Sequence, residues 1–193
     1  MKTDTRQKIL ETGAEFIHLK GFHHTGLQEI LRAANVPKGS FYNYFSSKED
    51  FGLQVIDHFV GYYALMSGPI LEDPALSPLE KIRKLLDWFM DFFKSKDYAY
   101  GCPIGNLAQE MGDLSPAFRE KLRSALDLLV DTYSGMLAQA QNEGEISQDL
   151  DVRAAARFLV SSWHGALMHM KAMKGSEPLE NHKRFIFEYI LKP

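Results

Sequence analysis

The chain has 193 residues, enough for one large domain or for a small domain joined to a larger one. Hydrophobic residues make up 45% and charged residues 24% of it, as in an ordinary globular protein. No hydrophobic run reaches the ~18 residues of a membrane-spanning helix, and the charged N-terminus lacks the hydrophobic region of a secretory signal. A single cysteine, Cys102, excludes an internal disulfide framework and suits a reducing compartment. We therefore expect a cytoplasmic protein that does not bind membranes.

The charge is unevenly distributed, although the net charge is only -3. Residues 1–48 carry seven basic and four acidic side chains, a net charge of +3, whereas the rest of the chain carries 15 basic and 21 acidic side chains, a net charge of -6. A basic N-terminal part on an acidic remainder is the asymmetry expected if only the N-terminal part binds phosphate groups. An asymmetry of this size also arises often by chance, so it is a weak indication by itself.

Helix boundary signals recur along the chain, and no sustained alternation of period two indicates a strand. Ser77-Pro78-Leu79-Glu80 combines a capping box with proline in the first turn, and Thr25-Gly26-Leu27-Gln28 has the same capping-box form. Gly21, the pair Gly68-Pro69 and Gly144 are expected to end helices. The sequence therefore predicts an all-α fold of about nine helices, near residues 4–20, 27–34, 38–45, 48–66, 78–96, 103–111, 116–142, 151–173 and 178–191.

Residues 25–45 hold the most informative pattern. Two short predicted helices are separated by Ala34-Asn35-Val36-Pro37, a tight turn of the helix-turn-helix kind. The first helix has hydrophobic residues at i, i+3 and i+4 counted from Leu27, which is the spacing of a buried stripe. On the second helix, Phe41 and Phe45 are i, i+4 partners that should face the same core.

The face of the second helix opposite these phenylalanines is small or hydrogen-bonding. Gly39 lets the backbone approach base edges closely, and Asn43, on the same face, can donate to or accept from a base edge. The hydroxyl groups of Ser40 and Tyr42 can reach phosphates or bases, and Lys38 adds positive charge. This face suits the major groove of duplex DNA.

Two flanking residues fit the same role. Thr25 lies at the predicted N-terminus of the preceding helix, where free N–H groups and the helix dipole favour phosphate, and Lys48 can contact phosphate on the other side of the groove. The alternative is an ordinary three-helix bundle with a polar surface. Gly39 argues against it, because a glycine inside so short a helix costs about 1 kcal/mol relative to alanine, and contact with another molecule would explain that cost.

The stretch from Pro37 to Phe45, followed by Ser47-Lys48-Glu49, resembles the recognition-helix signature of the TetR family of transcriptional regulators. Gly21-Phe22, Thr25 and Leu27-Gln28-Glu29-Ile30 match that family's approach to the helix-turn-helix. The resemblance implies a DNA-binding regulator, most often a repressor, that acts on a palindromic double-stranded operator. It implies that DNA is contacted by Thr25, Lys38, Gly39, Ser40, Tyr42, Asn43, Tyr44 and Lys48, although the helical wheel places Tyr44 at the edge of the buried side.

The resemblance and the helix pattern together indicate two domains. Residues 1–47 are expected to form the helix-turn-helix domain, and residues 48–193 a helical domain for effector binding and dimerisation. One short recognition helix covers few base pairs, so a homodimer with two heads is expected. The predicted helices near 151–173 and 178–191 are candidates for its interface, because the first carries small side chains and the second is hydrophobic. The alternative is that the small residues pack within one subunit.

The middle of the chain is unusually aromatic, and members of the TetR family use this domain to hold a small effector. Aromatic residues around Trp88 cover more than one face of their predicted helix, which favours a cavity on one side. The alternative is that these residues only form hydrophobic core, which an aromatic stripe does more often than it lines a cavity. The candidate effector residues are Tyr62, Tyr63, Met66, Trp88, Phe92, Cys102, Asn106, Tyr133, Trp163 and His164.

Cys102 stands beside Pro103 at the predicted start of a short helix, where the helix dipole and free N–H groups would stabilise a thiolate. The stretch from Gly101 to Glu110, Gly-Cys-x-x-x-Asn-Leu-Ala-x-Glu, resembles a TetR branch that includes NemR- and AcuR-like repressors. This resemblance implies either a reactive electrophile or oxidant sensed by the thiol, or a small metabolite such as acrylate. A buried, inert thiol is the alternative.

An enzyme is the main alternative class of function. The sequence has none of the His-Glu-x-x-His, Gly-x-Ser-x-Gly, P-loop or Ser-x-x-Lys motifs, and its seven histidines include no i, i+4 pair. Cys102 could act as a nucleophile only with a histidine near it in space. We therefore expect no enzymatic activity, no cofactor and no metal. A helical protein that binds a small molecule but not DNA is the other alternative.

Overall fold

Residues 5–193 are described by the structure, a computed structural model, and they form helices joined by short loops. In chain order these are α1 (Thr5–Lys20), α2 (Leu27–Ala33), a 3-10 helix (Lys38–Asn43), α3 (Lys48–Leu71), α4 (Pro78–Ser95), α5 (Pro103–Met111), α6 (Pro116–Asn142), α7 (Val152–Met173), α8 (Glu177–Phe185) and a π-helical turn (Ile186–Ile190). These described residues contain no strand, so the predicted all-α fold is confirmed. The predicted helix start at residue 4 lies outside them.

Side chains cap the starts of several helices, and at α4 they do so as the sequence predicts. At α4 the Ser77 hydroxyl accepts from the Glu80 N–H while the Glu80 carboxylate accepts from the Ser77 N–H, which completes the capping box. The Asp151 carboxylate accepts from the Arg153 and Ala154 N–H groups in the first turn of α7 at 3.1 and 3.0 Å. The Ser47 hydroxyl accepts from the Asp50 N–H at the start of α3. Each side chain pairs N–H groups that the helix itself leaves free, and so fixes where the helix begins.

Two predictions about the helix-turn-helix boundaries are wrong. α2 has no capping box, because Gly26 is its N-cap and the Thr25 hydroxyl donates instead to the Gly21 carbonyl at 2.7 Å. The following helix is a 3-10 helix that ends at Asn43 rather than an α-helix that reaches residue 45, because Tyr44 leaves the helical region with φ -120°.

The prediction that the pair Gly68-Pro69 ends a helix is also wrong, since α3 continues to Leu71 with the proline inside it. Proline removes one helical donor and leaves the Leu65 carbonyl without its usual partner. Leu65 is highly exposed, so water can bond to that carbonyl. The Glu72 N–H still donates to the Gly68 carbonyl at 2.9 Å. The missing bond is therefore tolerated near the exposed end of the helix.

The described residues divide into two compact units. Unit 1 comprises the chain up to residue 64 together with residues 103–125, and unit 2 comprises residues 65–102 and 126–193. The chain passes from one unit to the other three times, within α3, between Cys102 and Pro103, and within α6. Among the helices of residues 5–193, none combines the length and the hydropathy needed to cross a membrane.

Three phenylalanine rings form the centre of the helix-turn-helix part of unit 1. Phe41, Phe45 and Phe51 are almost completely buried, and their ring centroids lie 4.9 to 5.6 Å apart, a spacing that favours aromatic pairs. α1 reaches the cluster at Gly13, where a Cβ atom would lie 2.3 Å from the Phe51 Cζ atom. The predicted burial of Phe41 and Phe45 is confirmed, and the cluster fixes the 3-10 helix to α1 and α3.

Unit 2 has a hydrophobic core of its own, built from α4, the C-terminal part of α6, α7 and α8. Its buried members include Leu86, Leu137 and Leu159. A salt bridge between Lys183 and Asp87 joins α8 to α4 beside this core. Unit 2 therefore holds its helices together mainly through hydrophobic burial, which is the dominant favourable term in folding.

Gly13→Ala is expected to destabilise the protein, whereas Gly61→Ala is not. A methyl group at position 13 overlaps the buried Phe51 ring, and overpacking costs about 1–3 kcal/mol, against a gain of up to about 1 kcal/mol when alanine replaces glycine in a helix. Among the described residues, nothing outside the backbone of α3 itself lies within 4 Å of the equivalent position at Gly61, so only the gain remains there. Urea unfolding followed by circular dichroism measures both free energies. Equal stabilisation by the two substitutions would contradict the packing described for Phe51.

Candidate functional site

The turn between α2 and the 3-10 helix is closed by a residue in the left-handed conformation. Asn35 has φ 52°, and the N–H groups of Asn35 and Val36 donate to the carbonyls of Arg32 and Leu31 at 3.1 and 2.9 Å. This pair of bonds is the Schellman arrangement, which ends a helix within two residues, and asparagine tolerates the left-handed conformation better than most residues. Pro37 then precedes the next helix. The predicted helix-turn-helix turn is confirmed.

Residues 38–44, called the recognition segment below, follow this turn. Lys38, Gly39, Tyr42, Asn43 and Tyr44 are exposed, and Ser40 is partly exposed. A 3-10 helix repeats every three residues, so Gly39 and Tyr42 share one direction while Ser40 and Asn43 share another. The prediction that Gly39 and Asn43 share one face assumed α-helical spacing and is wrong in that respect. Within the described residues, nothing lies within 4 Å of the place where a Cβ of Gly39 would stand.

Thr25 and Lys48, the two flanking candidates, are engaged inside unit 1. The Thr25 side chain is fully buried, and its bond to the Gly21 carbonyl holds the loop that precedes α2. The Lys48 ammonium donates to the Phe22 carbonyl at 2.8 Å and lies 4.6 Å from the centre of the Phe22 ring. Burial lowers the pKa of Lys48, while the Glu110 carboxylate opposes that shift. An ammonium has three donors, so the bond to Phe22 leaves donors for a phosphate.

The loop between α1 and α2 is also held from α5. The Glu110 carboxylate accepts from the N–H groups of Phe22 and His23, each at 2.8 Å. Glu110 is not among the predicted site residues, although it closes the stretch that resembles the NemR- and AcuR-like branch. Its partners lie 88 and 87 residues away along the chain, a separation that leaves no signal in a single sequence.

The ten candidate effector residues fall in both units. Tyr62, Tyr63 and Asn106 belong to unit 1, whereas Met66, Trp88, Phe92, Cys102, Tyr133, Trp163 and His164 belong to unit 2. Tyr62 and Met66 are exposed. Tyr133 and Trp163 are each only 9% exposed and belong to the core of unit 2. Both residues therefore contribute to the packing of unit 2, and their role in effector binding stays a prediction.

An aromatic surface runs along α4 in unit 2. The rings of Trp88 and Phe92 stack with centroids 6.3 Å apart, and Phe92 in turn meets the Tyr100 ring at 6.4 Å. On a neighbouring face of the helix, Phe89 meets the Trp163 ring at 6.4 Å. Trp88 and Phe92 both stay partly exposed. α4 therefore uses one aromatic face for packing and keeps another partly accessible.

Cys102 directly precedes α5, which begins at Pro103, so the predicted position at the start of a helix is confirmed. The residue is partly exposed. Burial raises the pKa of the neighbouring Tyr133 hydroxyl, and the electrostatic influence of Cys102 adds to this shift. The Tyr133 hydroxyl therefore stays protonated at neutral pH and can act as a hydrogen-bond donor.

Two histidines of unit 2 each have a buried ring nitrogen with no partner among the described residues. His164 Nδ1 lies 2.9 Å from the Val160 carbonyl and so carries the proton. His182 Nε2 lies 3.0 Å from the Ser162 hydroxyl oxygen. Burial lowers the pKa of both rings, and the bonds to backbone carbonyls offset this only in part. Both rings are therefore held neutral, because a second ring proton would find no acceptor. Residues 5–193 contain no cluster of three or more His, Cys, Asp or Glu side chains that could hold a metal ion.

α7, α8 and the π-helical turn carry exposed hydrophobic side chains. Phe158 and Met168 on α7 are more than half exposed, as are Phe185 and Tyr189, whose rings stack at 5.0 Å. The small residues 155–156 of α7 are buried in the core of unit 2, which is the alternative to an interface. The predicted helix near 178–191 is formed by α8 and the π-helical turn.

A short helix that presents polar residues after a tight turn is the architecture of a helix-turn-helix DNA-binding protein. Residues 9–55 match the family described as bacterial regulatory proteins, tetR family. Residues 78–186 match the family described as tetracyclin repressor-like, C-terminal domain, and this match covers more than half of the chain. The chain belongs to the TetR family of transcriptional regulators.

Curated relatives match along almost the whole chain. The HTH-type transcriptional repressor DhaR of Mycobacterium sp. (strain GP1) is 35% identical over 190 residues, which are 98% of this chain and 94% of DhaR. The transcriptional regulator AcuR of Cereibacter sphaeroides is 35% identical over 178 residues, 92% of this chain and 81% of AcuR. The HTH-type transcriptional repressor NemR of Escherichia coli is 32% identical over 195 residues, 98% of this chain and 96% of NemR. The resemblance stated from the sequence is confirmed.

Solved structures share the fold over the same extent. A crystal structure of a regulatory protein TetR from Rhodobacter sphaeroides has a TM-score of 0.91 and 34% identity, and the match covers 97% of this chain and 99% of that one. The reduced form of E. coli NemR has a TM-score of 0.87 and 28% identity, covering 98% of this chain and 99% of that one. Members of this family are transcriptional regulators, which bind DNA operators and small effectors and are typically dimers.

His182→Gln is expected to weaken the dependence of stability on acid pH. Because burial lowers the pKa of His182, the unfolded chain binds the proton first as the pH falls below about 6.5. The stabilisation is therefore complete above that pH and is lost as the pH falls toward the folded pKa, by up to about 1.4 kcal/mol per pH unit. Urea unfolding between pH 8 and pH 5 should show a shallower decline in the variant. His24→Gln, at an exposed position, is the control, and an unchanged slope in His182→Gln would contradict the neutral buried ring.

Proposed function

We propose that this protein is a transcriptional repressor that binds a palindromic operator as a homodimer and is released by a small effector or by modification of Cys102. The observation that carries the proposal is the recognition segment, which is exposed on its polar side and anchored beneath by Phe41 and Phe45. DhaR and NemR, which match nearly the whole chain, are both named repressors. Such a protein acts where bacterial DNA is, in the cytoplasm.

In this proposal residues 1–47 read the DNA and residues 48–193 dimerise and bind the effector. Asn43 pairs with a base edge, because its amide can donate and accept, and Gly39 lets the backbone approach the groove. The side chains of Lys38, Ser40, Tyr42 and Tyr44 contact phosphates or bases beside them. Thr25 acts indirectly by fixing the loop before α2, and Lys48 adds a phosphate contact from its remaining donors.

The proposed dimer pairs the hydrophobic faces of α7 and α8 in two copies. Phe158, Met168, Phe185 and Tyr189 would be covered in this way, which would remove a hydrophobic patch from solvent. A symmetric pairing of two helices from each subunit makes a four-helix interface. It also presents two recognition segments, which a palindromic operator requires.

The proposed effector site uses the partly exposed aromatic face of α4 together with Cys102. Trp88 and Phe92 supply stacking surface, and the protonated Tyr133 hydroxyl supplies a donor. A reactive electrophile would add to the Cys102 thiolate, because the start of α5 stabilises negative charge. The residues Tyr62, Tyr63, Met66, Asn106, Trp163 and His164 remain proposed contributors to effector binding.

Gly39→Ala is expected to weaken operator binding about tenfold, which is about 1.4 kcal/mol, without destabilising the protein. The methyl group meets no atom of residues 5–193, but it stands where the backbone has to approach the DNA. Fluorescence anisotropy with a duplex from the promoter next to the protein's own gene measures the affinity at fixed salt. Gly61→Ala makes the same chemical change away from the recognition segment and should leave affinity unchanged. An affinity of Gly39→Ala equal to that of the wild type would contradict the proposed approach of the backbone at Gly39 to the DNA groove.

Alkylation of Cys102 is expected to release the protein from that duplex. N-ethylmaleimide can react with one thiol only, since the chain has one cysteine. The thiolate forms a bond to one alkene carbon of the maleimide, and the other alkene carbon takes up a proton. We expect an affinity loss of about tenfold, within the usual range of allosteric coupling. Cys102→Ser should bind the duplex and ignore the reagent. Full alkylation without loss of affinity, or equal release of Cys102→Ser from the duplex, would contradict the sensor role of Cys102.

A further inference from the structure

We propose that Glu110 is a positioning residue for DNA binding, which holds the loop before α2 and thereby sets the place of the helix-turn-helix. Its carboxylate accepts from two successive backbone N–H groups, those of Phe22 and His23, at 2.8 Å each. Hydrogen bonds to a charged group are among the stronger ones in proteins. The loop that leads into α2 is therefore tied to α5 through its backbone, whatever side chains it carries.

The loop is shaped to receive this carboxylate. Gly21 has φ +85°, and a Cβ at this position would lie 2.7 Å from the Glu110 Oε2 atom. Successive N–H groups beside a left-handed residue form a concave cradle for an anion. Glycine at position 21 therefore serves two needs, the positive φ and the space for the Glu110 carboxylate.

Phe22, whose N–H group donates to Glu110, is also held through its carbonyl group by a cation. The Phe22 carbonyl accepts from the Lys48 ammonium at 2.8 Å, while the Phe22 N–H donates to Glu110. The Phe22 ring is buried against the Phe118 ring at 4.9 Å. Backbone donor, backbone acceptor and side chain are thus all engaged, so Phe22 has little freedom to move unless one of these contacts is lost.

Because Glu110 lies on α5, its contact with the loop before α2 can transmit a change at Cys102 to the helix-turn-helix. This point rests on the proposed sensor role of Cys102. α5 begins one residue after Cys102 and Glu110 lies in its last turn, about 10 Å along the helix from Pro103 at 1.5 Å per residue. A shift of about 1 Å in α5 is enough to take the carboxylate beyond hydrogen-bond distance of the two N–H groups.

Charge alone predicts the opposite effect of a substitution at this position. Replacing Glu110 by glutamine removes a negative charge from a DNA-binding unit and by electrostatics should tighten binding to DNA. The positioning role predicts weaker binding instead. Glu110→Asp keeps the charge, but its shorter side chain does not reach both N–H groups, so charge predicts no change and positioning again predicts weaker binding.

The test uses the full-length protein and two measurements. One is the affinity for the promoter duplex from its own gene, and the other is the rate of amide hydrogen exchange. We expect Glu110→Gln and Glu110→Asp each to lose about tenfold in affinity and to exchange the Phe22 and His23 amides about tenfold faster, with an unchanged circular dichroism spectrum. Glu120→Gln is the matched control, because it removes the same charge from an exposed position in unit 1. Wild-type or tighter binding by both Glu110 variants would overturn the proposal.

Alkylation with N-ethylmaleimide separates this inference from the proposed function. If α5 carries the signal, alkylation should weaken wild-type binding about tenfold but Glu110→Gln binding less than twofold, since the contact is already lost. Independent, multiplying losses would overturn the coupling through Glu110. If the wild type is fully alkylated and keeps its affinity, the sensor role of Cys102 fails and the coupling with it, whereas the affinity and exchange results on Glu110 still decide its positioning role.

Discussion

The packing of Phe41, Phe45 and Phe51 into one cluster is the interaction on which the recognition segment depends. The recognition segment makes only a short 3-10 helix, and so short an element has little stability in isolation. Its conformation is fixed from beneath, where the rings of Phe41, inside the segment, and Phe45, just after it, pack against the Phe51 ring of α3. The polar residues above the cluster are therefore presented in one arrangement, with little conformational entropy left to lose on binding.

The loop that precedes α2 is restrained in a different way, through charge. Glu110 and Lys48 bind the two polar groups of the Phe22 backbone, and Thr25 bonds to the Gly21 carbonyl. Hydrophobic burial is hard to disturb without unfolding, whereas a bond from a side chain on α5 can be broken by a small shift. Unit 1 thus combines a rigid aromatic cluster, which presents the recognition segment, with a loop whose position depends on hydrogen bonds from Glu110 of α5.

Sequence patterns predicted the features that depend on local chemistry. The capping box that begins at Ser77 marks its helix correctly, and the spacing of Phe41 and Phe45 predicts their burial, because each of these signals acts over one helical turn. The type of the recognition helix and the passage of α3 through Pro69 were missed, since both depend on surroundings rather than on propensity. The role of Glu110 could not be found at all, because it pairs with a loop more than 80 residues away.

Amide hydrogen exchange of the full-length protein, with and without the promoter duplex from its own gene, tests most directly whether DNA is read by the recognition segment. We expect strong protection of residues 38–44 on binding, weaker protection of the loop before α2, and little change in the core of unit 2. Binding of the duplex without protection of residues 38–44 would contradict it.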